Sequence, residues 1–124
     1  MSRILVIDDD SQIQDMLKQM LERAGYDVII APNGKVAVKI NSEKPADLII
    51  TDLIMPEMEG IETIRKLKRD FPDVAIIAMS GGGRIGPDSY LGMVKKFGVK
   101  YTFVKPIKRE DLLTAIREIL NQQT

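Results

Sequence analysis

Short apolar runs alternate with amphipathic stretches along the whole chain. Ile4-Leu5-Val6-Ile7 is apolar at every position, the pattern of a buried strand. Ile13, Met16, Leu17, Met20, Leu21 and Ala24 then recur at helical spacing. Asp10 or Ser11 can cap that helix, and Gly25 sits where a glycine would end it. Val28-Ile29-Ile30-Ala31 predicts a second strand, and Pro32-Asn33-Gly34 turns into a helix carrying Val36, Ala37 and Ile40. Leu48-Ile49-Ile50-Thr51 predicts a third strand, followed by a helix marked by Ile61, Ile64, Leu67 and Phe71. Val74 to Met79 reads as a fourth strand, before a glycine-rich loop and a short helix near Ser89–Phe97. Tyr101 to Val104 is the fifth strand, and Leu112, Leu113, Ile116, Ile119 and Leu120 stripe a final helix. Five such units with near-continuous apolar strands predict an α/β fold, a parallel sheet with helices on both faces.

Composition narrows the chemistry. The 124 residues, 44% hydrophobic, are enough for one domain with an ordinary core, taken as residues 1–124 with no output domain. No apolar run approaches the roughly 20 residues of a membrane span, and the start lacks the features of a signal peptide. A cytoplasmic protein is therefore expected. With no cysteine there is neither a disulfide framework nor a thiolate zinc site. With no histidine there is no Ser-His-Asp machinery, and no histidine for the chain to phosphorylate on itself. Net charge is zero, so no basic excess points to nucleic acid. The first 62 residues nevertheless carry 12 acidic and 6 basic side chains, and the other 62 carry the reverse. That asymmetry permits an acidic pocket and a basic surface; solvated helix faces are the simpler account of most of these charges.

The strand ends carry the candidate chemistry. Strand one runs into Asp8-Asp9-Asp10, strand three into Asp52, strand four into Ser80 and strand five into Lys105. Open parallel sheets bind ligands beyond the carboxyl ends of their strands, at the topological switch point. Carboxylates gathered there repel one another, and a cation relieves the repulsion. An all-oxygen set suits Mg²⁺, and a carboxylate can itself attack phosphorus to form an aspartyl phosphate. Lys105 would neutralise phosphate charge, and Ser80 would offer it a hydroxyl. A structural ion-pair network at the sheet edge is the plain alternative.

These pieces resemble the receiver domain of two-component response regulators. The matching stretches are Ile4 to Asp9, Asp47 to Gly60, Ala78-Met79-Ser80-Gly81 and Phe103-Val104-Lys105-Pro106, in order across essentially the whole chain. The resemblance implies a flavodoxin-like, doubly wound five-stranded sheet of order 2-1-3-4-5. It implies that Asp52 accepts a phosphoryl group from a partner's phosphohistidine, the partner being a sensor histidine kinase or a histidine phosphotransfer protein. It implies that Asp8, Asp9, Asp52 and the backbone carbonyl of Ile54 hold Mg²⁺, that Ser80 and Lys105 contact the phosphoryl group, and that the Lys105–Pro106 bond is cis. A phosphorylation-dependent dimer is compatible with it; direct nucleic-acid or membrane binding is not expected.

Two features depart from the family pattern. The aromatic residue often found three positions before the lysine is Thr102 here, and the neighbouring Tyr101 belongs to the opposite face of a strand. After Ser80, Gly81-Gly82-Gly83-Arg84-Ile85-Gly86-Pro87 makes an unusually long glycine-rich loop, for which mobility and a late-starting next helix are expected. Gly81, Gly83 and Gly86 fit a dinucleotide fingerprint, but its acidic partner about 20 residues on is missing and Pro87 interrupts the helix entry. Arg65, Lys66, Lys68 and Arg69 read as a solvated face. Met55 and Met58 could line a partner surface, and Lys95, Lys96, Lys108 and Arg109 a basic one. Three rivals remain in view. One is an interaction module that signals without phosphorylation. Another is an aspartyl-phosphate phosphatase, which would resemble the haloacid dehalogenase family but for Ile54 in place of a second aspartate. The third, a flavin binder, rests on fold alone.

Overall fold

A computed structural model describes residues 2–53, 59–80, 98–99 and 101–122. The elements are β1 (Arg3–Ile7), α1 (Ser11–Arg23), β2 (Asp27–Ala31), α2 (Gly34–Glu43) and β3 (Leu48–Asp52), then α3 (Glu59–Asp70), β4 (Ala75–Ser80), β5 (Tyr101–Val104) and α4 (Arg109–Gln122). All strand pairs are parallel, in the order β2-β1-β3-β4-β5. The expected fold is thus the observed one. The helix expected near Ser89–Phe97 and the glycine loop lie outside the described residues.

Alternation along the strands splits the core in two. Leu5, Ile7, Ile49 and Ile76 pack on one face of the sheet against Ala37 of α2 and Ile61, Ile64 and Leu67 of α3. Ile4, Val6, Ile50, Ile77 and Met79 pack on the other face against Leu17 and Leu21 of α1 and Leu112 and Ile116 of α4. Each such side chain fully removed from water contributes about 1.5–3 kcal/mol. β1 and β3 lie inside the sheet and are covered on both faces, which explains their unbroken apolar runs. β2 and β5 are its edges among the described residues.

Local signals fix where the helices begin. The Asp10 carboxylate caps α1 by accepting from the Gln12 N–H at 2.9 Å, and Asn33 caps α2 by accepting from the Val36 N–H at 2.9 Å. Gly25 ends α1 with a φ of 97°, a left-handed conformation that glycine adopts freely. At Gly34 an added Cβ would lie 1.7 Å from the Thr63 hydroxyl, so glycine is what lets α2 approach α3 there. Two members of the α1 stripe are not core: Met16 is 56% exposed, and Ala24 lies on the surface at the helix end. Helical spacing placed them beside the buried Leu17 and Leu21, but periodicity alone does not set how wide a face of the helix is covered.

Candidate functional site

β1 and β3 are neighbours, and the chain leaves them in opposite directions across the sheet: to β2 on one side, to β4 on the other. A crevice must open above their carboxyl ends, and there Asp8, Asp9 and Asp52 converge. One carboxylate oxygen from each lies within 4.8 Å of the others. Asp8 is fully buried and Asp52 nearly so, whereas Asp9 is exposed.

Lys105 reaches the same point from β5. Its Nζ donates to Asp8 Oδ2 at 3.1 Å and to Asp52 Oδ2 at 3.0 Å, so it bridges carboxylates from two other strands. Burial works against the ammonium charge, but hydrogen bonds and attraction from Asp52 and Asp8 outweigh it and hold the lysine pKa above its ordinary value. The backbone fixes this reach: the Lys105 N–H donates to the Ser80 carbonyl at 2.7 Å, tying the ends of β4 and β5. The Lys105–Pro106 bond is cis, as the resemblance implied. The Leu53 N–H donates to the Met79 carbonyl at 2.8 Å and extends the β3–β4 pairing just past Asp52. Ser80, fully buried, ends β4.

The β1–α1 turn is equally defined. The Asp8 N–H donates to the Ala31 carbonyl at 3.2 Å, its Oδ1 accepts from the Asp10 N–H at 2.9 Å, and its carbonyl accepts from the Gln14 side chain at 2.5 Å. Hard oxygen donors on rigid strand ends, two of them buried, match what a small divalent cation such as Mg²⁺ requires. The sequence therefore placed Asp8, Asp9, Asp52 and Lys105 correctly at one point, with Ser80 on the adjoining strand end. Ile54, Met55, Met58, Lys95 and Lys96 lie outside the described residues, while Lys108 and Arg109 are exposed.

On β5, Tyr101 and Phe103 pack with the α1–α4 core while Thr102 takes the other face, as the strand period requires. The Tyr101 hydroxyl donates to Glu118 at 2.6 Å, a bond that holds the phenol above its ordinary pKa of 10.0. Two features escaped the sequence reading. One is the role of the Gln14 amide, which no periodicity marks. The other is a groove of about 690 Å³ between α1 and the start of α4. It is lined by Met16, Met20, Ile107 and Leu112, with Arg23 and Lys105 among its polar lining. Periodicity reads Met16 as core, so the sequence does not mark this groove. No helix among the described residues is long and apolar enough to cross a membrane.

Comparison with known proteins gives the same picture over almost the whole length. Residues 4–117 match the response regulator receiver domain model. The chain is 35% identical to the response regulator receiver protein CpdR of Brucella abortus, over 97% of this chain and 98% of that one. It is 31% identical to the transcriptional regulatory protein CpxR of Escherichia coli over 98% of this chain, but spans only 50% of CpxR. A CheY-like receiver domain protein from Methanospirillum hungatei superposes with a TM-score of 0.90 at 31% identity, covering 99% and 96% of the two chains. The response regulator TrrA of Thermotoga maritima, solved in complex with Mg²⁺-BeF, superposes with a TM-score of 0.83 at 28% identity, covering 96% and 99%.

Proposed function

Since this chain belongs to the response regulator receiver family, we propose that it is a phosphoacceptor switch charged at Asp52 by a phosphohistidine on a partner protein. The observation that carries this reading is Lys105, whose ammonium group spans Asp8 and Asp52 at 3.1 and 3.0 Å within a three-carboxylate pocket.

One Asp52 carboxylate oxygen attacks phosphorus, the phosphorus–nitrogen bond breaks, and its electron pair stays on the partner's imidazole. Bound at Asp8, Asp9 and Asp52, with the Ile54 carbonyl as the resemblance implies, Mg²⁺ would supply the positive charge that phosphoryl oxygens need. Lys105 then exchanges a carboxylate partner for a phosphoryl oxygen, and Ser80 donates its hydroxyl to another. The new charge shifts a two-state equilibrium in the surface beyond β4 and β5, which is how the signal passes to a protein target. No separate turnover substrate belongs to this reading, and the site of action is the cytoplasm. The groove beside α1 suits an apolar segment of the donor: it is largely apolar, and Lys105 lines it while also reaching Asp52.

Intact-mass measurement after incubation with a small-molecule phosphodonor, with and without Mg²⁺, tests the chemistry. A single Mg²⁺-dependent phosphoryl adduct is expected, absent in Asp52→Asn. Equal labelling of that variant would refute the assignment of Asp52. No adduct together with no Mg²⁺ binding would instead favour an interaction module that works without phosphorylation.

A further inference from the structure

Gln14 lies on the first turn of α1 and is half-buried. Its backbone N–H opens the helix by donating to the Asp10 carbonyl at 3.0 Å, while its side chain reaches back six residues to the Asp8 carbonyl at 2.5 Å. That carbonyl needs a donor. The Asp8 N–H makes the last bond from the end of β1 to β2, and beyond it the chain leaves the sheet.

We propose that Gln14 is a positioning residue for the acidic pocket, setting the direction in which Asp9 offers its carboxylate. The Asp8 carbonyl and the Asp9 N–H share one rigid peptide plane, so the Gln14 bond orients the plane from which Asp9 departs. Asp8 and Asp52 are held by burial and by Lys105, but Asp9 is the exposed member of the triad. A turn that must be ordered when the cation arrives lowers affinity; a turn already fixed does not. Partners that orient metal ligands without touching the metal commonly account for about 10–100-fold in affinity. The inference rests on the reading of the pocket as a divalent-cation site.

The test compares wild type with Gln14→Met, which keeps the side-chain length and loses the donor. Mg²⁺ affinity is measured by titration calorimetry, thermal stability by melting, and order in the turn by exchange of the Asp10 amide, which donates to Asp8 Oδ1. Binding weaker by about fivefold or more, with faster Asp10 exchange and a near-wild-type melting temperature, is the expected result. Gln14→Glu is the second variant. Its added negative charge alone would tighten Mg²⁺ binding, so weaker binding there separates positioning from charge. An affinity closer to wild type than that, or a loss that only tracks a fall in melting temperature, overturns the proposal. If wild type binds no Mg²⁺ at all, the cation reading itself fails, and unchanged Asp10 exchange in Gln14→Met then overturns the role of Gln14 as well.

Discussion

Lys105 is the counter-ion that lets the pocket tolerate two buried carboxylates from different strands. Removing it by Lys105→Met leaves Asp8 and Asp52 facing each other with no positive charge between them. Loss of a fully buried partner costs more, but the lysine side chain is 22% exposed, so about 1–3 kcal/mol is the appropriate scale. The variant should melt several degrees lower without Mg²⁺, and added Mg²⁺ should recover more stability in it than in wild type. Thermal melts with and without the ion check this; an equal gain in both proteins would mean that the lysine is not the resident counter-ion. These residues were legible in the sequence because each directly follows or ends an apolar strand, and a parallel sheet brings such ends to one side whatever their separation along the chain. Gln14 was not legible, since its role depends on a helix folding back over the strand before it.

Among the elements, α2 and α3 meet through one close approach. Gly34→Ala would drive a Cβ to within 1.7 Å of the Thr63 hydroxyl and 2.9 Å of its Cβ, so one of the helices must shift. Overpacking of this kind costs about 1–3 kcal/mol. Denaturant melts should show that loss, with partial recovery in Gly34→Ala/Thr63→Ala. The strand boundaries and the starts of α1 and α2 follow from periodicity and caps, which are local, and the sequence shows the strands to within a residue. The groove is different. The α1 stripe reads as continuous core, yet Met16 is 56% exposed, because only the packing of α4 decides how much of that stripe is covered. Met16→Glu should slow phosphorylation by a phosphohistidine-bearing protein about tenfold or more, which corresponds to roughly 1.4 kcal/mol of binding. Labelling by a small-molecule donor should stay near wild type, and equal slowing of both would remove the groove from donor docking.

For the whole molecule, the order β2-β1-β3-β4-β5 predicts a gradient of stability. Amides of β1 and β3, paired on both sides and covered on both faces, should exchange only through global unfolding, whereas those of β5 should open at lower cost. Hydrogen exchange read by mass spectrometry tests this, and comparable protection in β5 would contradict it. Central anchoring also suits function, since Asp8 and Asp52 extend from the two most protected strands. The sheet has an open edge at each side among the described residues, and such edges are templates on which another chain can add a strand. Here the edge strands are five and four residues long, and proline follows closely in both: Pro32 directly after β2, Pro106 two residues after the end of β5. Proline has no backbone N–H, so an incoming strand runs out of hydrogen bonds where the site begins. The same architecture that gathers carboxylates at the strand ends thereby limits strand addition at its flanks.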